Sequence, residues 1–200
     1  MRWDLLFDDL ESQLDQEQRD EERALAIEEE RLRLGRLTLR DRLSAMARAA
    51  GGEDAAASIR VELRGGRTLD LRPLSFGRDW MSATVQGSGR NDGQCIVPFS
   101  AIGAIIPTRL QLERSLRPSA ESSARLAERI GLPFVLRDLC RRRAPVHVTT
   151  DDGRLHGTLD RVARDHVDLA LHEPGSPRRD RDVHGYRIVP LERIILVEFG

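Results

Sequence analysis

Ile96-Val97-Pro98-Phe99-Ser100-Ala101-Ile102 and Ile188-Val189-Pro190-Leu191-Glu192-Arg193-Ile194 are two copies of one phrase. In both, an apolar pair runs into a proline, and an isoleucine then reopens an apolar run. Each copy closes the same series. In the first half, apolar alternation over 58–64 and 68–75 flanks the turn Gly65-Gly66, and Arg78-Asp79 leads to a third run over 80–86. In the second half, runs over 146–150 and 154–162 flank Asp151-Asp152-Gly153, and Arg164-Asp165 leads to a run over 166–172. A polar loop follows each series, over 87–93 and over 173–185, before the closing pairs of short strands. Alternation bounded by Gly and Asp turns reads as antiparallel strands. A supersecondary unit that recurs settles an architecture before any single residue does.

A helix precedes each series. Leu39-Arg40-Asp41 opens one over 39–49, and Leu136-Arg137-Asp138 lies in another over 133–143, with Pro133 at a first-turn position. Residues 109–131 read as a helical connector in two parts, broken at Pro118 and recapped by Ser119. Ahead of everything, Trp3, Leu6, Leu10 and Leu14 recur at helical spacing. A polar stretch over 15–23 follows, and Ala24, Leu25, Ile27 and Leu32 then restore an apolar stripe before Gly35. The expected fold class is α+β: an extended helix over 1–35, a helix-plus-five-strand unit over 36–109, a helical linker over 110–131 and a second unit over 132–200. Each unit is expected to curl into a small bent β-barrel.

Composition excludes several classes. The chain has 200 residues, 40% of them hydrophobic, which is enough for real cores. Aromatic residues make up 4%, so stacking platforms for bases are few. A protein held to nucleic acid by phosphate contacts is usually basic, and this one has a formal net charge of −1. Cys95 and Cys140 have neither disulfide-framework nor zinc spacing. The opening turns acidic at Asp4 without the basic and apolar segments of an export signal, and no apolar run reaches bilayer length. A cytoplasmic location is expected. His147, His156, His166, His172 and His184 are scattered over alternate strand faces without metal-ligand spacing. Gly65-Gly66 and Gly87-Ser88-Gly89 lack the Gly-Lys-Ser/Thr of a phosphate loop, and Asp151-Asp152 reads as a hairpin turn. No enzyme activity, cofactor or metal is expected.

The ordered series resembles the Sm-like superfamily, and the second half is most similar to its bacterial RNA-chaperone branch, Hfq. The resemblance rests on Leu132-Pro133-Phe134-Val135-Leu136-Arg137-Asp138-Leu139 and on Arg141-Arg142-Arg143-Ala144-Pro145-Val146-His147-Val148. It continues through Asp152-Gly153, Leu155-His156-Gly157-Thr158-Leu159, Arg164-Asp165 and His166-Val167-Asp168-Leu169. It spans 132–199 and, less closely, 37–107. It implies two strongly bent five-stranded barrels, with Gly157 easing the bend of the second strand; Leu71 stands at that place in the first half, where Pro73 is expected to take over. It also implies single-stranded RNA as a ligand, with a base stacked at the position held by Trp80 and His166. The chain departs from the family at the phosphate clamp. Pro98-Phe99-Ser100 and Pro190-Leu191-Glu192 stand where the family has Tyr-Lys-His, and a carboxylate repels phosphate. A family tyrosine on the opposite face is matched by Thr149. Separately, Met1-Arg2-Trp3-Asp4 and Leu6-Phe7-Asp8-Asp9-Leu10-Glu11 are similar to the opening of an actinobacterial family sometimes labelled Fis-type transcriptional regulators, although no Fis-type helix-turn-helix is legible here.

Candidate nucleic-acid contacts are Trp80, His166, the loop arginines Arg178, Arg179 and Arg181, and Arg141, Arg142 and Arg143 at a helix end, where the macrodipole alone favours cations. Trp3, Leu6, Phe7 and Leu10 are candidate partner contacts. Two functions follow. One is a non-catalytic Sm-like adaptor or regulator touching single-stranded RNA. The other is a protein-interaction or assembly module that uses exposed strand edges and the N-terminal helix, with two fused units standing for neighbours in a head-to-tail series. The expected partners are RNA, a further copy or another protein, with no membrane and no small-molecule substrate.

Overall fold

The structure is a computed structural model that describes residues 3–48, 58–87, 93–117, 129–175 and 178–200, with side chains from Gln13 onward. The chain divides into Met1–Thr38 and Leu39–Gly200. The first unit is α1 (Trp3–Gly35), a helix of 33 residues. Its side chains over 13–32 are exposed. Arg19, Arg23, Arg31 and Arg33 each pair with a carboxylate three or four residues back, on Asp15, Asp20, Glu28 and Glu30. Such pairs support a helix that buries no apolar face. No helix among the described residues is long and apolar enough to cross a membrane.

The second unit carries α2 (Leu39–Arg48), β1 (Ile59–Leu63), β2 (Thr68–Phe76), β3 (Trp80–Val85), β4 (Gln94–Pro98) and β5 (Ile102–Ile106). After α3 (Arg109–Ser115) come α4 (Leu132–Arg141), β6 (Pro145–Thr150), β7 (Gly153–Val162), β8 (His166–Leu171), β9 (Gly185–Pro190) and β10 (Ile194–Phe199). The second part of the expected connector, including Pro118 and Ser119, lies outside the described residues. The architecture is α+β, as expected. Its strands form one open antiparallel sheet in the order β5-β1-β2-β3-β4-β10-β6-β7-β8-β9. Within each half the order is fifth, first, second, third, fourth. Two separate curled sheets were expected; the structure has one, because β4 and β10 satisfy each other's backbone groups. Val197 lies opposite Ile96, Glu198 opposite Cys95 and Phe199 opposite Gln94.

Irregularities repeat along with the order. The β2–β3 register shifts between Pro73 and Ser75, and the β7–β8 register between Leu159 and Arg161. Each fifth strand is also irregular, beside Leu63 on its partner and at Ile195. Bulges of this kind bend a strand and increase its twist. At Gly157, β7 approaches β8 so closely that a Cβ would overlap the Ala170 carbonyl oxygen. Leu71 takes the corresponding place in the first half and is fully buried, leaving the irregularity of β2 to the Pro73–Ser75 bulge.

The junction strands serve two cores. Cys95 and Val97 enter the first, with Leu43 and Met46 of α2 and Ile59, Leu71 and Met81 of the sheet. Ile96, between them, enters the second, with Leu136 and Leu139 of α4 and Val148, Leu159 and Leu169. From β10, Ile195 and Leu196 go to the first core, and Ile194 and Val197 to the second. Successive strand residues face opposite sides of a sheet, so the cores lie on opposite faces where the halves meet. The bulge at Ile195 lets two consecutive residues point the same way.

Helix ends are fastened locally. Thr108 and Gln111 form a reciprocal capping box on α3, and Gln111 Nε2 also donates to the Ser58 carbonyl oxygen at 2.9 Å. After α4, Arg143 adopts φ 51°, a left-handed conformation that costs a non-glycine residue about 1 kcal/mol. Its guanidinium donates to Asp160 Oδ1 at 3.0 Å.

The shared junction leads to a direct expectation for folding. Ile96→Ala should destabilise the chain by about 2–5 kcal/mol and leave one coincident urea transition by fluorescence and circular dichroism. Ile188→Ala, at the equivalent exposed position, should change folding stability by under about 0.5 kcal/mol at low protein concentration.

Candidate interaction site

Both Arg-Asp turns and both Pro-centred phrases border one hollow of about 830 Å³, lined by Arg78, Asp79, Phe99, Arg164, Asp165, His166 and Leu191 among others. The turns are built alike. Gly77 N donates to Trp80 O at 2.8 Å, and Ala163 N to His166 O at 2.9 Å. Phe99 N donates to Asp79 O at 2.9 Å, and Leu191 N to Asp165 O at 2.8 Å.

Their surroundings differ. In the first half the turn is filled. The Trp80 indole lies over Gly77, where a Cβ would overlap the ring, and its Nε1 donates to Ile130 O at 3.0 Å. Asp79 Oδ1 accepts from Leu132 N at 2.8 Å, capping the first turn of α4. Trp80 is 6% exposed and belongs to the second core, so it is not an open stacking platform for a base. In the second half, Asp165 Oδ1 bonds its neighbour, His166 Nδ1, at 2.7 Å. That bond holds the Asp165 carboxyl below the usual range. The His166 side chain is 42% exposed and reaches the hollow. The same contrast runs along the strands: Ile96 on β4 is 1% exposed, and Ile188, its equivalent on β9, is 72% exposed.

The arginines singled out in the sequence are mostly engaged. Arg141 and Arg142 pair with Asp138, each at 2.7 Å. Asp160, presented by the β7 bulge, accepts from Arg178 Nε and Nη2 at 2.7 and 2.6 Å, and from Arg143. The Arg178 bonds are the main cause of a depressed Asp160 carboxyl. Arg181 lies 3.7 Å from Asp182, while Arg179 makes no ion pair among the described residues. Trp3, Leu6, Phe7 and Leu10 are in the first turns of α1, and their side chains lie outside the described residues.

Sequence reading missed one cluster. His147 and His156 are register partners across the β6–β7 hairpin, and their ring centroids are 4.3 Å apart. His172 meets His156 edge-on at 5.2 Å. The pairing is implicit in the hairpin, because the turn at Asp151-Asp152 sets Thr150 opposite Gly153 and so His147 opposite His156. The approach of His172 depends on the β7–β8 register, which the bulge between Leu159 and Arg161 shifts. No group of three His, Cys, Asp or Glu side chains among the described residues is placed to hold a metal ion. Burial pushes the Cys95 thiol up to about 12, which leaves it protonated and inert.

No protein family, curated protein or solved structure matches this chain.

Asp160→Asn tests the engagement of the arginines. Replacing the carboxylate that holds two guanidiniums should cost roughly 1.5–3 kcal/mol of local stability. Amide exchange over 178–184 should rise while β1–β3 stay unchanged, as measured by hydrogen-exchange mass spectrometry.

Proposed function

We propose that this chain is a non-catalytic assembly module of Sm-like build, in which the second half of one copy receives the first half of the next. The observation that carries this reading is the unequal fate of equivalent residues. Ile96, Asp79 and Trp80 of the first half meet the second half, and their counterparts Ile188, Asp165 and His166 have no such cover among the described residues. Ile96 is buried and Ile188 is 72% exposed. The side chains of Trp80 and Asp79 bond Ile130 and Leu132 at the start of the second half, whereas the side chains of His166 and Asp165 bond each other.

The edge that would be received, β5, is bare as well. On β5, Gly103, Ala104 and Ile106 are exposed, although their counterparts Ile195, Leu196 and Glu198 lie in or beside the internal junction. Carrying the β4–β10 register over to the two edges sets Ile188 opposite Ile105, Arg187 opposite Ile106 and Tyr186 opposite Pro107. Unpaired strand edges attract further strands, and a contact between two different edges repeats head to tail, closing into a ring or running on. The Sm-like part of the proposal is supported by the identical strand order in both halves, a helix before each, and Gly157 at the tight crossing of β7 and β8. RNA contact has less support, because Trp80 is covered, Arg178 is held by carboxylates, and Glu192 borders the hollow.

Light scattering should give a mass above the 22.6 kDa of a single chain, falling to a single chain in Ile188→Asp. With Cys140→Ser as background, Ile105→Cys with Ile188→Cys should form linked oligomers on oxidation, since directly opposed antiparallel residues meet disulfide geometry. A single-chain mass at high micromolar concentration, with no cross-linking, would overturn the proposal.

A further inference from the structure

The imidazole stack of the second half has a geometry that favours neutral rings. His172 is 2% exposed, and two neighbours set its tautomer. Its Nδ1 donates to Glu173 O at 3.2 Å, so its Nε2 accepts from the Thr158 hydroxyl at 2.9 Å. His156, in the middle, has no such partners. Both of its ring nitrogens are sealed from solvent and make no hydrogen bond. A neutral ring can occupy that place at the cost of an unmade bond. An imidazolium there would bury a charge and two unpaired N–H donors.

The charged groups around the stack offer it little relief. Arg154 of β7 and Glu198 of β10 flank His147, and Glu173 follows His172. Glu198 is shared between Arg154 at 3.0 Å and Arg67 at 3.8 Å. Glu173 favours charge on His156, while His147, His172 and Arg154 oppose it.

We propose that His147, His156 and His172 form an acid-sensitive lock: with neutral rings it joins β6, β7 and the end of β8, and proton uptake expels His156 from the stack and loosens that corner of the second half. Expulsion follows because hydration and hydrogen-bond acceptors for both N–H groups are found only outside the stack. Burial first, then the neighbouring imidazoles and Arg154, hold His156 below its ordinary value of 6.5, and burial followed by Arg154 does the same for His147. For groups whose folded value is depressed, the unfolded chain binds more protons. The stabilisation is therefore complete above about 6.5 and is lost as pH falls below it. The lock stands whether or not copies of the chain assemble, since every group in it belongs to one half.

The test is hydrogen exchange on the full chain at about pH 7.5 and about pH 5.5, corrected for intrinsic rates, beside an NMR titration of the ring protons. In the wild type, His156 should titrate below 6.5. Exchange over 146–158 and 166–172 should accelerate about threefold or more at the lower pH, because the opened chain then binds protons that the closed stack refuses. Exchange over 59–63 and 80–85 should stay unchanged. His156→Phe keeps a ring in the stack and should abolish the acceleration. The titration requires no variant and stands if that protein fails to fold. His156 titrating at or above 6.5, acceleration spread evenly over both halves, or acceleration that persists in His156→Phe would each overturn the proposal.

Discussion

The pairing of β4 with β10 is the constraint on which the rest of the second unit depends. It leaves two five-stranded sets in one sheet, and the strand pleat makes each junction strand fill both cores. Ile96 projects from the first half into the core beneath α4, and Ile195 and Leu196 project from the second half into the core beneath α2. Neither core is complete without a strand from the other half. A fully buried aliphatic side chain contributes about 1.5–3 kcal/mol, so the interlocked residues account for a substantial part of a stability that is a small difference between large terms. The loops extend the same dependence. Arg64, after β1, donates to the Glu192 carbonyl oxygen at 2.7 Å and lies 3.7 Å from Asp151 of the β6–β7 turn.

Equivalent residues have acquired different work because only one half has a neighbour on its β4 side. The turn before the third strand keeps its backbone hydrogen bonds in both copies, yet its contents have diverged. Gly77 leaves room for the Trp80 indole, and that ring reaches Ile130 ahead of α4. Ala163 occupies the matching place below His166, a smaller ring that leaves the hollow open. Covered and bare versions of one surface thus coexist in a single polypeptide.

Charge follows similar logic. The arginines look like free cationic clusters along the chain, but carboxylates placed by tertiary contact neutralise several of them. Asp160 is the main example: a bulge in β7 turns it toward Arg143 after α4 and Arg178 in the loop before β9. A net charge near neutral and the engagement of these guanidiniums give RNA contact less support than the sequence alone suggests. The bare β5 and β9 edges are the surfaces on which the proposed assembly rests. The imidazole stack is a different case: both His156 ring nitrogens are sealed from solvent without a hydrogen bond, and the acid response proposed above rests on that.

The family resemblance pointed to Gly157, and local grammar was enough to show the repeat, the helix before each set, the strand series and the two Arg-Asp turns. Each depends on residues within one turn or hairpin, where backbone preference and apolar alternation act over a few positions. The position of His156 opposite His147 was legible in the same way, from the hairpin turn. Which edges meet, which core receives Ile96, which acid holds Arg178 and whether Trp80 faces solvent were settled only by the folded chain. Those contacts join residues 18 to more than 100 positions apart, and no local pattern encodes the distance that folding closes. The contrast between Ile96 and Ile188 is the clearest instance: the phrase is the same, and only the presence of a neighbouring strand decides which copy is buried.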